Sequence, residues 1–350
     1  MKYSVMFAGA GIGELYLDEI GYECVVANEL IEKRAKFYQH IYPKANMIIG
    51  DINDYDVFAR FIRISKENEV KMLIATPPCQ GFSIIGRNKS HDQMTQDQRN
   101  FLVYKVFEAI KEIQPDYVLI ENVPRFLNLY YPHEGGMYNI IDIIKYHFES
   151  DYNIDYKILN SMHYEIAQSR KRSFIKIYKK DKKWPWPTQS DKIITVKDTI
   201  GHLPSIEAGE ASEIKWHYGR NHKYEHIEWM KNTPTGKSAY NNAYHFPKND
   251  LGLRIKGYND AYSRIEWDKP APTITIRSDA ISSNAKVHPG RRLSDGTYSD
   301  ARVLSILEIM LLSSIPVDWD IPTWASDTLI RQIIGESVPP LLMKKIIEAI

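Results

Sequence analysis

An alternation of short apolar segments with amphipathic helical segments runs through the first 180 residues and restricts the chain to few folds. We expect strands at residues 3–7, 22–27, 47–49, 72–75, 117–120, 156–159 and 173–178. The expected helices cover residues 14–20, 31–41, 55–64, 101–113 and 138–148. Strands separated by helices of this length form βαβ units. The pattern therefore predicts an α/β fold with a doubly wound, mostly parallel sheet.

The alternation stops at Trp184-Pro185-Trp186-Pro187. From there to about residue 272 the chain is irregular and rich in His, Asn, Tyr and Gly, a composition that suits a smaller, loop-rich binding domain. Expected helices return over residues 303–313 and 340–349. The sequence thus predicts a first domain over residues 1–183, a second over 184–301, and a return segment over 302–350 that packs on the first.

Composition limits where the protein works and what binds it. The 350 residues carry a net charge of +1, so charge alone does not indicate nucleic acid. No apolar run approaches the roughly 20 residues of a membrane span, and the N-terminus does not resemble a signal peptide. Because Cys24 and Cys79 are the only cysteines, a disulfide framework is not expected and a cytoplasmic location is.

A cysteine stands where a nucleophile of an α/β protein would stand. The segment Pro77-Pro78-Cys79-Gln80-Gly81-Phe82-Ser83 directly follows the expected strand at residues 72–75. Chemistry in such sheets collects beyond the carboxyl ends of the strands. A small buried cysteine next to a Pro-Pro turn is the alternative, so the assignment of Cys79 depends on other residues.

The loop after the first strand reads Phe7-Ala8-Gly9-Ala10-Gly11-Ile12-Gly13. Its glycines let a ligand approach the backbone, although their spacing is not that of the dinucleotide fingerprint. Glu29, at the end of the second strand, can accept both hydroxyls of a ribose, and Asp51 can accept an adenine amino group. These residues predict an adenosine-containing cofactor; the alternative is a tight structural turn.

Three further segments carry charged or polar groups, two of them at the ends of expected strands. Glu121-Asn122-Val123-Pro124 follows the expected strand at 117–120, and Gln168-Ser169-Arg170-Lys171-Arg172 precedes the strand at 173–178. In an extended chain the two arginines would point alike. Residues 168–183 carry eight basic residues against one aspartate, which is also the composition of a solvated face. Gly335-Glu336-Ser337-Val338-Pro339-Pro340 lies near the end of the chain.

Taken in order, these segments resemble the motifs of the DNA (cytosine-5)-methyltransferases. The resemblance covers most of residues 3–180 and 302–350. It extends to Arg302–Glu308, which is similar to the segment that organises the small domain of the family. Three residues depart from the usual pattern: Val5 replaces an acidic residue, Leu30 an aromatic one and Glu336 an asparagine.

The resemblance implies a Rossmann-like methyltransferase that transfers a methyl group from S-adenosyl-L-methionine to C5 of cytosine in a specific duplex DNA sequence. Cys79 would add to C6 of a flipped-out base as a thiolate, with Arg170 and Arg172 as nearby cations. Glu121, partly protonated through burial, would donate to N3, and Arg172 would contact O2. The sequence does not identify the base that removes the C5 proton.

The resemblance also implies which residues bind the cofactor and the DNA. The cofactor residues are Phe7, Ala8, Gly9, Ala10, Gly11, Ile12, Glu29, Leu30, Asp51, Ile52, Pro78, Leu102, Ser337 and Val338. The loop over residues 83–99 is expected to close over DNA, with Ser83 and Arg87 in contact with it. Recognition would fall to residues 184–301. The polar candidates there are Arg220, Asn221, Lys223, Asn241, Asn242, Arg254, Lys256, Arg264 and Arg277.

Alternative functions remain at this point. Some members of the family methylate tRNA, but they tend to have a reduced recognition region. An inert DNA-binding regulator would not need Cys79, Glu121 and Arg172. An NAD-dependent enzyme leaves the cysteine segment unexplained, and the His-x-Glu and Cys-x-x-Cys pattern of zinc deaminases is missing, so no metal is expected. We expect a bacterial or phage enzyme that acts as a monomer on double-stranded DNA, with a separately acting restriction endonuclease as its cognate partner.

Overall fold

The structure is a computed structural model, and it describes residues 1–78, 101–255, 257, 260–283 and 286–350. The chain forms two compact units. Unit 1 comprises Met1–Asn160, Lys171–Pro187 and Met343–Ile350, and unit 2 comprises Ser161–Arg170 and Thr188–Leu342. This division differs from the predicted domains: residues 161–170 group with unit 2, and only the last eight residues of the expected return segment group with unit 1. None of the described helices is long and apolar enough to cross a membrane.

Unit 1 is built on a seven-stranded sheet. In chain order the first ten strands of the described chain are β1 (Lys2–Met6), β2 (Glu23–Glu29), β3 (Asn46–Ile49), β4 (Met72–Ala75), β5 (Tyr117–Asn122), β6 (Tyr130–His133), β7 (Gly136–Asn139), β8 (Tyr152–Asn160), β9 (Gln168–Ser169, in unit 2) and β10 (Lys171–Lys179). Of these, β6 and β7 form a separate two-stranded sheet, and β9 pairs outside the large sheet. The order across the sheet is β3-β2-β1-β4-β5-β10-β8. Strands β1 to β5 pair in parallel, and β10 is antiparallel to both neighbours. The predicted doubly wound, mostly parallel sheet is confirmed.

The strand order reverses between β1 and β4, because the chain fills one side of β1 first and the other side later. In doubly wound sheets such a reversal opens a crevice at the carboxyl ends of the strands, and ligands bind there. The predicted glycine-rich loop follows β1, and the predicted cysteine segment follows β4. Topology thus brings the beginnings of both segments to one edge of the sheet.

The helices of unit 1 bury one apolar stripe each. They are α1 (Glu32–Ile41), α2 (Tyr55–Glu67), α3 (Val103–Ile113) and α4 (Ile140–Phe148). Asp54 begins α2, since its side chain accepts the backbone amides of Asp56 and Val57. The buried side chains of α2 include Phe61 and Ile62, which belong to the main core of the unit. All four residues of β4 are buried, as expected for a central parallel strand.

Two predicted helices were wrong in part. Residues 14–20 do not form an α-helix; they contain two short 3₁₀ turns, Ile12–Glu14 and Asp18–Ile20. Gly11 before the first turn and Gly21 after the second are both left-handed, which leaves too few residues for a regular helix. Residues 136–139 form β7, paired with β6, and α4 begins only after Asn139, whose side chain accepts the Ile141 amide.

Unit 2 is largely irregular, as its composition predicted. Its regular elements are β9, which pairs in parallel with β11 (Ala271–Pro272), and the helices α5 (Val196–Ile200), α6 (Tyr224–Lys231), α7 (Ile306–Leu312), α8 (Asp327–Glu336) and the start of α9 (Pro340–Ile347). Of these helices, α5, α6 and α8 were not predicted. A capping box of Ser305 and Glu308 begins α7. The apolar core of this region contains Trp229, Met230 and Val287.

Candidate active site

The glycine-rich loop after β1 leaves its backbone open to a ligand. Phe7, Gly9 and Gly11 adopt positive φ angles of 61°, 57° and 77°. A Cβ atom placed on Gly9 would meet no heavy atom within 4 Å. The positive φ explains why glycine suits this position, and the open space means that a ligand can approach the main chain closely.

Glu29 ends β2 and is bonded to the same loop. Its Oε2 accepts the backbone amide of Gly9 at 2.8 Å, and its Oε1 accepts that of Ile31 at 2.8 Å. The residue is 6% exposed, so the two amide bonds hold the carboxylate in one orientation. Each carboxylate oxygen has further acceptor capacity, which the hydroxyls of a ribose can use. The open main chain at Gly9 and this fixed carboxylate fit an adenosine-containing cofactor.

Three other predicted cofactor residues follow β2 and β3, and they differ in exposure. Leu30 is 61% exposed and presents an apolar side chain next to Glu29 in the chain. Asp51 is exposed, and its Oδ1 accepts the amide of Asn53 at 2.9 Å. Ile52 is 2% exposed and packs in the core of unit 1, so protein atoms cover its side chain.

The chain that leads from β4 to the cysteine segment is tied to both neighbouring strand ends. The Thr76 hydroxyl donates to the Phe7 carbonyl at 2.8 Å. The buried Asn122 amide group donates to the Pro77 carbonyl at 2.9 Å. These bonds fix the entry to the segment relative to the glycine-rich loop and to the end of β5. Of the predicted site residues, Cys79, Ser83, Arg87 and the recognition candidate Lys256 lie outside the described residues, as does the loop 83–99 that is expected to close over DNA.

Glu121 and Arg172 form an ion pair at the carboxyl end of β5. Arg172 lies near the start of β10, the antiparallel neighbour of β5, and its Nε is 3.1 Å from Oε1 of Glu121. The two side chains are 16% and 11% exposed, Arg172 being the first. Burial lowers the pKa of Arg172, and the Glu121 carboxylate opposes that shift. The structure thus holds the Glu121 carboxyl group and the Arg172 guanidinium together. The residue after Glu121 is Asn122, which donates to the Pro77 carbonyl.

Arg170 does not share this arrangement. It belongs to unit 2 and is 1% exposed. Its guanidinium donates to the carbonyl oxygens of Ile274, Gly335 and Glu336 at 2.8 to 3.0 Å. The last two carbonyls lie at the end of α8, where a cation is favourable. The two arginines therefore have different partners: Arg170 is bonded to carbonyls of unit 2, and Arg172 pairs with Glu121 of unit 1.

The remaining predicted cofactor residues are divided between the units. Pro78 is half-buried in unit 1, and Leu102 packs against the core there at the start of α3. Ser337 follows α8 in unit 2, and its hydroxyl donates to the Ile334 carbonyl at 2.9 Å. The next residue, Val338, is buried. Across the described ranges of the chain, no three His, Cys, Asp or Glu side chains are grouped as metal ligands.

The structure excludes Arg264 as a candidate for DNA contact and shows that Arg254 already has partners within its own unit. Arg264 is 2% exposed, and its guanidinium donates to the carbonyls of Met230 and His288. The expectation that Arg264 contacts DNA is therefore wrong; burial makes it a structural residue of unit 2. Arg254 stacks on Phe246 at 3.7 Å and donates to main-chain carbonyls of its own unit.

Sequence reasoning missed the residues that hold the site in shape. Asn122 and Thr76 were not assigned roles, yet their side chains donate to the carbonyls of Pro77 and Phe7 and so join neighbouring strand ends. Glu14, just after the glycine-rich loop, was also missed and is a buried carboxyl. The available signal was a polar residue at the end of a buried strand, since such groups need internal hydrogen-bond partners.

Comparison with known proteins agrees with this geometry. A family model described as C-5 cytosine-specific DNA methylase matches residues 1–350. The Type II methyltransferase M1.HgaI of Avibacterium volantium is 50% identical over 350 residues, covering 99% of this chain and 98% of that protein. The Type II methyltransferase M1.HphI of Haemophilus parahaemolyticus is 28% identical over 356 residues, covering 100% of this chain and 86% of that protein.

Solved structures show the same fold. A putative DNA modification methyltransferase encoded within an E. coli prophage superposes with a TM-score of 0.70 at 19% identity, covering 100% of this chain and 98% of that chain. A DNMT2 variant of Spodoptera frugiperda gives a TM-score of 0.61 at 15% identity, covering 99% and 98%. The fold agrees with the methyltransferase fold that the sequence predicted, and the family model matches over the whole length. The chain therefore belongs to the family of C-5 cytosine-specific DNA methylases.

Proposed function

We propose that this enzyme transfers the methyl group of S-adenosyl-L-methionine to C5 of cytosine in a specific duplex DNA sequence, as the modification enzyme of a Type II restriction-modification system. The observation that carries the proposal is the Glu121–Arg172 ion pair, which stands next to the Asn122–Pro77 bond at the entry to Cys79. Family membership and the Type II name of a relative that is 50% identical support it.

The cofactor supplies an activated methyl group, and the residues around Gly9 and Glu29 would hold it. The Glu29 carboxylate would accept the ribose hydroxyls with the acceptor capacity that its two amide bonds leave. The open space at Gly9 would admit the rest of the molecule against the main chain. Leu30 offers exposed apolar surface for the adenine.

Cytosine C5 is a poor nucleophile, so the enzyme needs to activate it. We propose that the thiolate of Cys79 adds to C6, which makes C5 an enamine-like carbon that attacks the methyl group. A free cysteine, with a pKa of about 8.5, is only a few per cent ionised at neutral pH, so positive surroundings favour the reaction. Among the described residues, Arg172 is the cation that we propose for this role. Arg170 is left out of the proposed mechanism because main-chain carbonyls hold its guanidinium.

Addition at C6 moves electron density towards N3 and O2 of the ring. In the proposed mechanism Glu121 acts in its protonated form: it donates its proton to N3 and takes it back when the adduct breaks down, while Arg172 stabilises the charge at O2. The ion pair sets the distance between the two side chains before substrate binds, so little reorganisation is needed. After methyl transfer a base takes the C5 proton, and Cys79 leaves by β-elimination with its electron pair.

The target base is stacked inside duplex DNA and must be flipped out before Cys79 can reach C6. We propose that the segment carrying Ser83 and Arg87 contacts the DNA during this step. Exposed polar side chains of unit 2, including Asn241 and Arg277, remain candidates for contacts to phosphates or bases. A cognate restriction endonuclease would cleave the same sequence when it is unmethylated.

Methyl transfer from radiolabelled S-adenosylmethionine tests the proposal. The purified chain is incubated with unmethylated duplex DNA or with bulk tRNA, and the products are digested to nucleosides. We expect label in 5-methylcytosine from DNA and none from tRNA. A Cys79→Ala variant serves as the control for contaminating activity. Label only in tRNA, or DNA binding without label in either substrate, would contradict the proposal.

A further inference from the structure

A buried carboxyl group lies directly beneath the glycine-rich loop of unit 1, outside the mechanism described above. Glu14 is the last residue of the 3₁₀ turn Ile12–Glu14 that ends this loop, and it is 5% exposed. Its backbone amide donates to the Gly11 carbonyl at 3.1 Å. Glu14 therefore belongs both to the loop and to the interior beneath it.

The side chain of Glu14 joins three elements. Its Oε2 accepts the hydroxyl of Tyr38 on α1 at 2.6 Å and the hydroxyl of Tyr3 on β1 at 3.1 Å. Tyr38 is also 3.1 Å from the buried thiol of Cys24 on β2. Apart from burial, the groups that shift the pKa of the Glu14 carboxyl most are the two neutral tyrosine hydroxyls and not cations.

A second tyrosine of the same helical face reaches the loop itself. The Tyr42 hydroxyl donates to the Gly11 carbonyl at 2.8 Å, and its ring packs on Tyr38 with 4.7 Å between centroids. A Cβ atom on Gly11 would overlap the ring of Tyr42 and lie 2.9 Å from Tyr38. The two rings thus form the floor of the loop, and the Gly11 carbonyl is held from below by Tyr42 and from one side by Glu14.

We propose that Glu14, Tyr38 and Tyr42 form a positioning cluster that holds the glycine-rich loop in its cofactor-binding shape, and that the cluster works with Glu14 uncharged. The proposal rests on the proposed function, since the loop is taken to bind S-adenosylmethionine. None of the three residues contacts the cofactor in this scheme. They act through the main chain of Gly9 to Gly11, whose shape also fixes the amide that Glu29 accepts.

Burial supports an uncharged Glu14. Burial raises the pKa of this carboxyl to about 8, and the two tyrosine hydroxyls only partly oppose the shift. Among the described residues, the further titratable groups that act on the cluster include Tyr3, Cys24, Asp18 and Glu23, and none of these four is a cation. Because the folded-state pKa lies above the unfolded value, the stabilising contribution is present at low pH and is lost as the pH rises through about 8.

The first test removes one bond from the floor of the loop. Tyr42→Phe keeps the ring and loses the hydroxyl that Gly11 accepts. We expect about fivefold weaker binding of S-adenosylhomocysteine by calorimetry, the equivalent of one hydrogen bond, and a similarly raised KM for the cofactor with little change in kcat. Tyr146→Phe is the matched control, since it removes an exposed tyrosine bond, to Glu134, elsewhere in unit 1. Equal affinities for the two variants would overturn the proposal.

The second test uses the pH dependence of cofactor affinity to distinguish a positioning role of Glu14 from simple packing. Wild-type affinity for S-adenosylhomocysteine should weaken by up to about tenfold between pH 7 and pH 9, the limit reached if the ionised form does not bind. Glu14→Gln keeps the shape but cannot ionise, so its affinity should exceed that of the wild type at pH 9 and match it at pH 7. Titration of the ligand affects both proteins equally and cancels in the comparison.

The outcomes distinguish this inference from the function on which it rests. If the wild type binds S-adenosylhomocysteine but Glu14→Gln shows the same pH profile, the positioning cluster is refuted and the proposed function stands. If the wild type binds no S-adenosylhomocysteine at any pH, the proposed function itself fails, and the cluster's role fails with it. A Glu14→Gln variant that only loses stability, equally at pH 7 and pH 9, also contradicts the inference.

Discussion

Replacement of Glu308 by glutamine should destabilise unit 2 strongly, because this carboxylate neutralises a buried arginine. Both oxygens of Glu308 accept the terminal nitrogens of Arg302, at 2.8 and 2.9 Å, and Oε2 also accepts the Ser305 amide at 2.7 Å. Neither member of the ion pair is more than 1% exposed. Asp300 is a second acid partner of Arg302, at 2.9 Å, so the arginine keeps one carboxylate in the variant.

The magnitude follows from the protonation of Glu308. Burial by itself would raise the pKa of this carboxyl, but Arg302 and then His288 outweigh burial and lower it to about 2. Against the ordinary value of 4.5, at 1.36 kcal/mol for each pH unit, the ionised form contributes about 3 kcal/mol to folding at pH 7. Breaking a buried ion pair by removing one partner costs a similar amount, about 3–5 kcal/mol.

Equilibrium urea unfolding of the full chain measures this loss. We expect Glu308→Gln to lower the free energy of unfolding by about 3 kcal/mol at pH 7. A carboxyl group whose pKa is lowered by folding stabilises the folded state at pH values above its unfolded pKa, here 4.5. The difference in unfolding free energy between the wild type and the variant should therefore narrow as the pH falls below this value and reach about half by about pH 3. Glu266→Gln is the matched control, since Glu266 pairs with Lys269 on the surface. A loss below 1 kcal/mol at pH 7, or a loss independent of pH, would refute the reasoning.

Three predictions concern the active site. Cys79→Ser should abolish turnover but keep DNA binding in a filter assay, and substantial residual methylation would exclude the covalent mechanism. Glu121→Gln should slow single-turnover methyl transfer by about 100-fold with little effect on cofactor affinity, because it removes the proton donor to N3; wild-type turnover would remove that role. Asn122→Ala should lower kcat about tenfold through loss of the bond to Pro77, with adenosylhomocysteine binding unchanged. Weaker cofactor binding without a change in kcat would contradict the last prediction.

Much of the site was predictable because its residues stand at strand ends in a recognisable order. The glycine-rich loop, Glu29 and Glu121 all lie where the alternation of strands and helices placed them, at the carboxyl edge of the sheet. The parallel pairing of β1 to β5 follows from that alternation alone. The bonds from Asn122 and Thr76 were not predictable, because each joins strands that are distant in sequence.

By itself the sequence determined the fold class, the family and the set of polar groups available for catalysis, since local apolar periodicity and ordered motifs encode these. Only the tertiary structure decided how those groups are used. Two arginines that stand two residues apart in the motif have different partners: Arg172 pairs with Glu121, while Arg170 donates to the carbonyls at the end of α8. The physical reason is that charge and hydrogen-bond partners depend on burial and on contacts between distant segments, which no local pattern records.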